Sequence, residues 1–176
     1  DDFEVLLGQR TLRFYDTPGH AKHHFCIHDL KSNTIFTGDT FGIAYDGTVV
    51  GSEPLIFVTT TPVQFDPEAM RNSIKRLLAI NPSALNLTHF GQVKPSQKVA
   101  DQLLKSIDAF VDIANESEAL NNRTEIINQQ IQQYLLRQYR QLGGEKSNEN
   151  CLSTVAMDSK LNAQGLDFWL SKRQKA

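Results

Sequence analysis

The spacing of hydrophobic positions changes near residue 90. Before it, short β-branched and aromatic runs alternate with turn residues, which is the pattern of strands. Phe3–Leu7 is one such run, and Thr11–Tyr15 alternates polar and apolar positions. Gly8-Gln9-Arg10 between them predicts a hairpin. His24–Leu30 and Thr34–Thr37 flank Lys31-Ser32-Asn33, a second hairpin with turn-forming residues at its tip. Asp46-Gly47 marks a further turn, and Leu55–Thr61 reads as extended chain interrupted by Pro62. Asp66-Pro67 opens a helix, because Asp caps free backbone N–H groups and Pro at the first helical position loses no hydrogen bond. Met70, Ile74, Leu77 and Leu78 follow at helical spacing until Asn81-Pro82. Ala84–Thr88 is a short buried-strand candidate that runs into His89-Phe90-Gly91.

After residue 90 apolar positions recur every three or four residues. Pro95–Ala119 carries Val99, Leu103, Ile107, Phe110 and Ala114, and Arg123–Leu142 carries Ile127, Ile131, Leu135 and Tyr139. Each stripe predicts a helix packed along one face. Gly143–Asn150 is polar and reads as a loop or linker. A last helical stretch starts at Leu152, is punctuated at Gly165 and resumes through Phe168-Trp169-Leu170. Trp169 and the tail stripes read as core or as an oligomer contact. The division expected is therefore residues 1–94, mixed strand and helix, and residues 95–176, a helical region packed on the first.

Composition narrows the class. With 176 residues, 40% of them hydrophobic and 22% charged, the chain has the size and apolar content of one globular domain. The net charge of −2 offers no excess of cations to collect phosphates, so nucleic acid is not a favoured partner. No apolar run approaches the ~18–20 residues of a membrane span. Cys26 and Cys151 form no CxxC and no disulfide framework, which predicts free thiols in a reducing, cytoplasmic compartment. The chain starts Asp1-Asp2-Phe3, without Met, and enters strand-like sequence at once. It is expected to be cut from something longer.

The chemistry gathers around histidine. Four of the five histidines, His20, His23, His24 and His28, lie within Gly19–Asp29, and the fifth is His89. Three strings share one design, a short apolar run that ends in a ligand-type residue. They are Thr17-Pro18-Gly19-His20, then Phe36-Thr37-Gly38-Asp39, then Leu87-Thr88-His89-Phe90-Gly91. Side chains at adjacent strand ends converge on one rim of a sheet, so His20, Asp39 and His89 can meet. Two imidazoles and a carboxylate suit zinc, manganese or iron(II). His28 is expected to face solvent or a neighbouring strand, and His23 has no ligand role. Cys26, on the same strand face as His24 and His28, reads as a small buried residue.

These strings, in this order and rough spacing, resemble the metallo-β-lactamase superfamily over Phe3 to about Gly91. Ala156–Leu170 looks like the C-terminal helix of some members. The resemblance implies the C-terminal half of an αββα sandwich, with a helical extension. It implies that His20 and His89 are metal ligands and that Asp39 bridges two metal ions, zinc first, with iron or manganese as alternatives. His24 matches a histidine that follows the ligand by four residues and stands behind it. The superfamily's main metal motif, H-x-H-x-D-H, is absent from these residues. The missing half is expected to leave one sheet face uncovered.

Three functions follow as expectations. The first is a metal-dependent hydrolase, acting through a metal-bound hydroxide on a small-molecule ester, thioester, lactone, amide or phosphodiester. Residues 1–176 alone are expected to be weak or inactive, with Phe41–Gln64 forming one wall of the cleft. The second is an iron-dependent oxidoreductase on the same fold. The third is a non-catalytic fragment or interaction module, with the tail helices as its working surface or as a homodimer contact.

Overall fold

A computed structural model describes residues 1–61 and 63–174; the interruption expected at Pro62 lies outside them. The fold is mixed α/β. Six strands form the main sheet: β1 (Phe3–Leu7), β2 (Arg10–Asp16), β3 (Phe25–Asp29), β4 (Thr34–Gly38), β7 (Ala84–Leu87) and β8 (Gln92–Val93). Val49–Val50 and Glu53–Pro54, β5 and β6, pair with each other apart from it. The main sheet runs β1-β2-β3-β4-β7-β8, and only β4 and β7 are parallel. Both expected hairpins are present, β1–β2 and β3–β4. The helix α1 (Pro67–Ala79) precedes the parallel strand β7. Asp66 caps α1 by accepting the Ala69 N–H, as its sequence predicts.

Strand alternation splits the sheet into two unlike faces. One buries Tyr15, Cys26, His28, Ile35, Thr37, Leu85 and Leu87 under the helices. The other carries Phe3, Phe14, Ile27 and Phe36 side by side in one register row across β1 to β4. Phe3 is 65% exposed and Phe36 49%, with Phe25 and Val5 exposed on the same face. This face is an uncovered apolar surface.

The tail folds into α2 (Gln97–Ser117), α3 (Arg123–Gln141) and α4 (Asn148–Arg173). All five positions of the α2 stripe, Val99 to Ala114, are buried. Two tail expectations are corrected. Asn148–Asn150 belong to α4 rather than to the linker, because Ser147 caps the helix by accepting the Asn150 N–H. Gly165 does not break α4. It lies inside the helix and lets the helix approach the Thr60 carbonyl so closely that a Cβ there would overlap it. Trp169 packs against Phe65, with ring centroids 6.4 Å apart.

Leu55–Thr60 is extended and fully buried, yet it joins no sheet. Phe57 exchanges both backbone hydrogen bonds with Ile43. On the other edge, alternate amides meet helix side chains. Ile56 N–H donates to Gln102 Oε1 (3.5 Å), Val58 N–H to Ser106 Oγ (2.9 Å) and Thr60 N–H to Asn162 Oδ1 (2.6 Å). Three side chains from α2 and α4 thus replace a neighbouring strand, which satisfies buried amides that would otherwise be costly.

Candidate metal centre

The rim of the sheet brings the three separated strings together. His20 follows the Pro18-Gly19 turn after β2. Gly19 adopts a φ of 137°, and a Cβ on it would overlap the Met70 backbone of α1. Asp39 follows β4 and His89 follows β7, adjacent parallel strands whose ends point the same way. His20 Nε2 lies 3.6 Å from Asp39 Oδ2, and His89 Nε2 lies 3.6 Å from Asp39 Oδ1. The carboxylate therefore stands between the two imidazoles, one oxygen toward each.

Hydrogen bonds assign the His20 and His24 rings. His20 Nδ1 lies 3.5 Å from the Thr59 carbonyl, which can only accept, so Nδ1 carries the proton and Nε2 is left bare toward Asp39. Burial, acting against the neighbouring Asp39 charge, lowers the proton affinity of His20 and favours this neutral form. His24 has neither nitrogen available. Its Nε2 accepts the Asp39 N–H at 3.2 Å, and its Nδ1–H donates to Thr40 Oγ1 at 2.8 Å. Thr40 in turn donates to the Thr17 carbonyl, which fixes the direction of that bond. Burial, followed by the nearby His20, also lowers the proton affinity of His24. Gly38, at φ 51°, leaves the space that the His24 ring fills. His24 thus anchors the Asp39 backbone.

The donor set fits a metal in two respects. Asp39 Oδ1 is buried and has no hydrogen-bond partner among the described residues, a costly arrangement unless a cation faces it. The 3.6 Å gaps are too long for hydrogen bonds. Donors ~2.1 Å from one tetrahedral ion lie roughly 3.4 Å apart, close to those gaps. The same geometry limits the chain. Each carboxylate oxygen faces one imidazole, so each ion would receive two donors. No group of three or more His, Cys, Asp or Glu able to hold an ion is found among the described residues.

His28 is buried, which corrects the solvent-facing alternative and leaves the neighbouring-strand one. It sits beside Tyr15 on β2, with Nδ1 accepting from the Tyr15 hydroxyl (3.3 Å) and Nε2–H donating to Asn33 Oδ1 (2.9 Å). Cys26 is buried as expected, and burial pushes its thiol pKa up to about 12. Most of Phe41–Gln64 is core rather than cleft wall, since Phe41, Ile43 and Leu55–Val58 are all buried. From that segment Ser52, Glu53 and Pro54 do line a cavity of about 390 Å³, shared with Phe90, Val93 and Lys94 just after His89. Sequence reasoning missed Thr17, Thr40 and Thr59, which hold the rings. Their one signal is the density of threonine beside the ligand strings.

A model of the metallo-beta-lactamase superfamily matches residues 1–89. A metallo-beta-lactamase fold-containing protein of Sulfurisphaera tokodaii is 30% identical over 129 residues, 73% of this chain and 45% of the relative. An acyl-coenzyme A thioesterase of Gallus gallus is 35% identical over 46 residues, 26% of this chain and 16% of the relative. A solved metallo-beta-lactamase family protein from Thermus thermophilus shares the fold with a TM-score of 0.54 at 13% identity, over 99% of this chain and 48% of that one. The chain thus spans under half the length of these relatives.

Proposed function

The chain belongs to the metallo-β-lactamase superfamily, and on that premise we propose that it supplies one side of a metal-dependent hydrolytic centre. The observation that carries the reading is the Asp39 carboxylate held between the His20 and His89 imidazoles, with its buried Oδ1 unpartnered. His20 would hold one ion and His89 the other, with Asp39 shared between them. Zinc suits these donors best, and iron or manganese suits the same types. Bound there, the metals would supply activated water and polarise the bond to be cleaved.

The protein's own residues do the positioning. Thr59 turns His20 so that a bare nitrogen faces the carboxylate. His24 fixes the Asp39 backbone, so the carboxylate keeps one oxygen on each side. Each ion would need further donors beyond these three residues. The row of Phe3, Phe14, Ile27 and Phe36 is the surface on which a second sheet layer would pack. An acyl thioester is the favoured substrate class. The avian relative is an acyl-coenzyme A thioesterase, and the cavity lined by Phe90, next in sequence to His89, joins apolar walls, Pro54 and Val93, to Lys94 and Lys98, with Glu53 also in its lining. Such a cavity suits an acyl group on an anionic carrier.

The test uses protein expressed from the full reading frame that encodes residues 1–176, loaded with zinc. Acyl-coenzyme A and an aryl phosphodiester are offered separately. Thioester turnover that disappears in Asp39→Asn supports the reading. Undiminished turnover in that variant overturns it, and preference for the phosphodiester overturns the substrate class.

A further inference from the structure

Helix α4 reaches back across the sequence to the site. Thr60 N–H donates to Asn162 Oδ1 (2.6 Å), and Thr60 Oγ1 donates to the Asn162 carbonyl (2.9 Å) with Oδ1 at 3.0 Å. Thr60 is fully buried and Asn162 is 1% exposed, so no water competes for these bonds. Gly165, one turn on, lets the helix backbone close on the Thr60 carbonyl. The clamp therefore fixes Thr60 from two sides.

The residue next to this clamp is Thr59, whose carbonyl accepts from His20 Nδ1. A peptide plane held at Thr60 N holds the Thr59 carbonyl too, because both belong to one rigid unit. Asn162 Oδ1 takes the N–H of that plane, and His20 takes its C=O. One peptide thus links the helical tail to the imidazole. A carbonyl accepts only, so its placement selects the His20 tautomer that leaves Nε2 bare.

We infer that Asn162 is a positioning residue for the metal centre: through the Thr59–Thr60 peptide it sets the orientation and tautomer of His20. That this matters for metal binding rests on the hydrolase reading above. The coupling of Asn162 to the His20 ring does not.

Nitrogen NMR of the histidine side chains, at a pH where imidazoles are neutral, tests it in residues 1–176. The parent chain should show His20 protonated at Nδ1. Asn162→Ala removes the two bonds to Oδ1 and leaves the one to its own carbonyl, and the isosteric Thr60→Val removes the two from Oγ1. Both should shift His20 toward the Nε2–H tautomer, Asn162→Ala further. Asn162→Asp keeps the acceptor oxygens and should restore the parent signal. Zinc affinity should fall roughly 10-fold in Asn162→Ala, the low end for loss of a group behind a metal ligand. If Asn162→Ala does not fold, Asn162→Leu, close in size and also without Oδ1, decides. A folded variant without Oδ1 at position 162 whose His20 keeps the Nδ1–H signal overturns the inference. A tautomer shift in Asn162→Ala, with no zinc bound by protein expressed from the full reading frame, upholds it while defeating the hydrolase reading.

Discussion

His20 and His28 lie on the same short stretch of chain, and their rings are used in opposite ways. At His28 both nitrogens have partners, the Tyr15 hydroxyl and Asn33 Oδ1. The ring ties β2 to the β3–β4 turn, and its role is structural. At His20 one nitrogen is held by a carbonyl, and the other points at a carboxylate 3.6 Å away. His24 falls with His28, since both of its nitrogens are engaged. A cluster of histidines in sequence is therefore several different things in space. What separates His20 from His24 and His28 is an imidazole nitrogen that no hydrogen-bond partner occupies.

The comparison breaks most readily at Asp39. Asp39→Asn keeps the shape but removes the negative charge that both imidazoles face. Zinc binding, followed by calorimetry, should fall below detection while the circular dichroism spectrum is kept. Retained binding would put the metal elsewhere. The paired changes His20→Ala and His28→Ala sharpen the contrast. The first should cost zinc affinity with little loss of stability. The second should cost about 1–3 kcal/mol in urea unfolding, because it orphans the Tyr15 hydroxyl and Asn33 Oδ1, and leave zinc affinity in place. The same losses in both variants would erase the distinction.

Gly38→Ala tests the His24 anchor. At a φ of 51°, a Cβ is strained and also overlaps the His24 ring. About 1–2 kcal/mol of backbone cost is expected, together with weaker zinc binding as Asp39 loses its anchor. The smallest effect is on pH dependence. Burial holds His20 and His24 below the ordinary imidazole value. Below pH about 6.5 the unfolded chain therefore takes up protons that the folded chain refuses. Stability falls as the pH drops through that range, and the midpoint of thermal unfolding should fall with it. A double variant of His20 and His24 should flatten this dependence.

Much of this was readable before the fold. The strand-end strings named His20, Asp39 and His89, because strand ends on one rim converge whatever their separation in sequence. Asp66-Pro67 and the α2 stripe were legible for local reasons, a cap and a period. The segment Leu55–Thr60 was legible only as extended chain. Its partners, Gln102, Ser106 and Asn162, lie far away in sequence and form no strand. Gly165 was misread because glycine in a helical pattern suggests a break, whereas here it serves close packing against Thr60. His28 could face solvent or a neighbour on alternation alone; Tyr15 across the strand pair settles it.

The most direct test follows all five histidine side chains at once, by long-range nitrogen–proton NMR during a zinc titration. Nε2 of His20 and of His89 should respond, the ring signals of His24 and His28 should stay in place, and Asp39→Asn should abolish the response. A response at His24 or His28 equal to that at His20, or none at His20 and His89, would contradict a metal site at His20, Asp39 and His89.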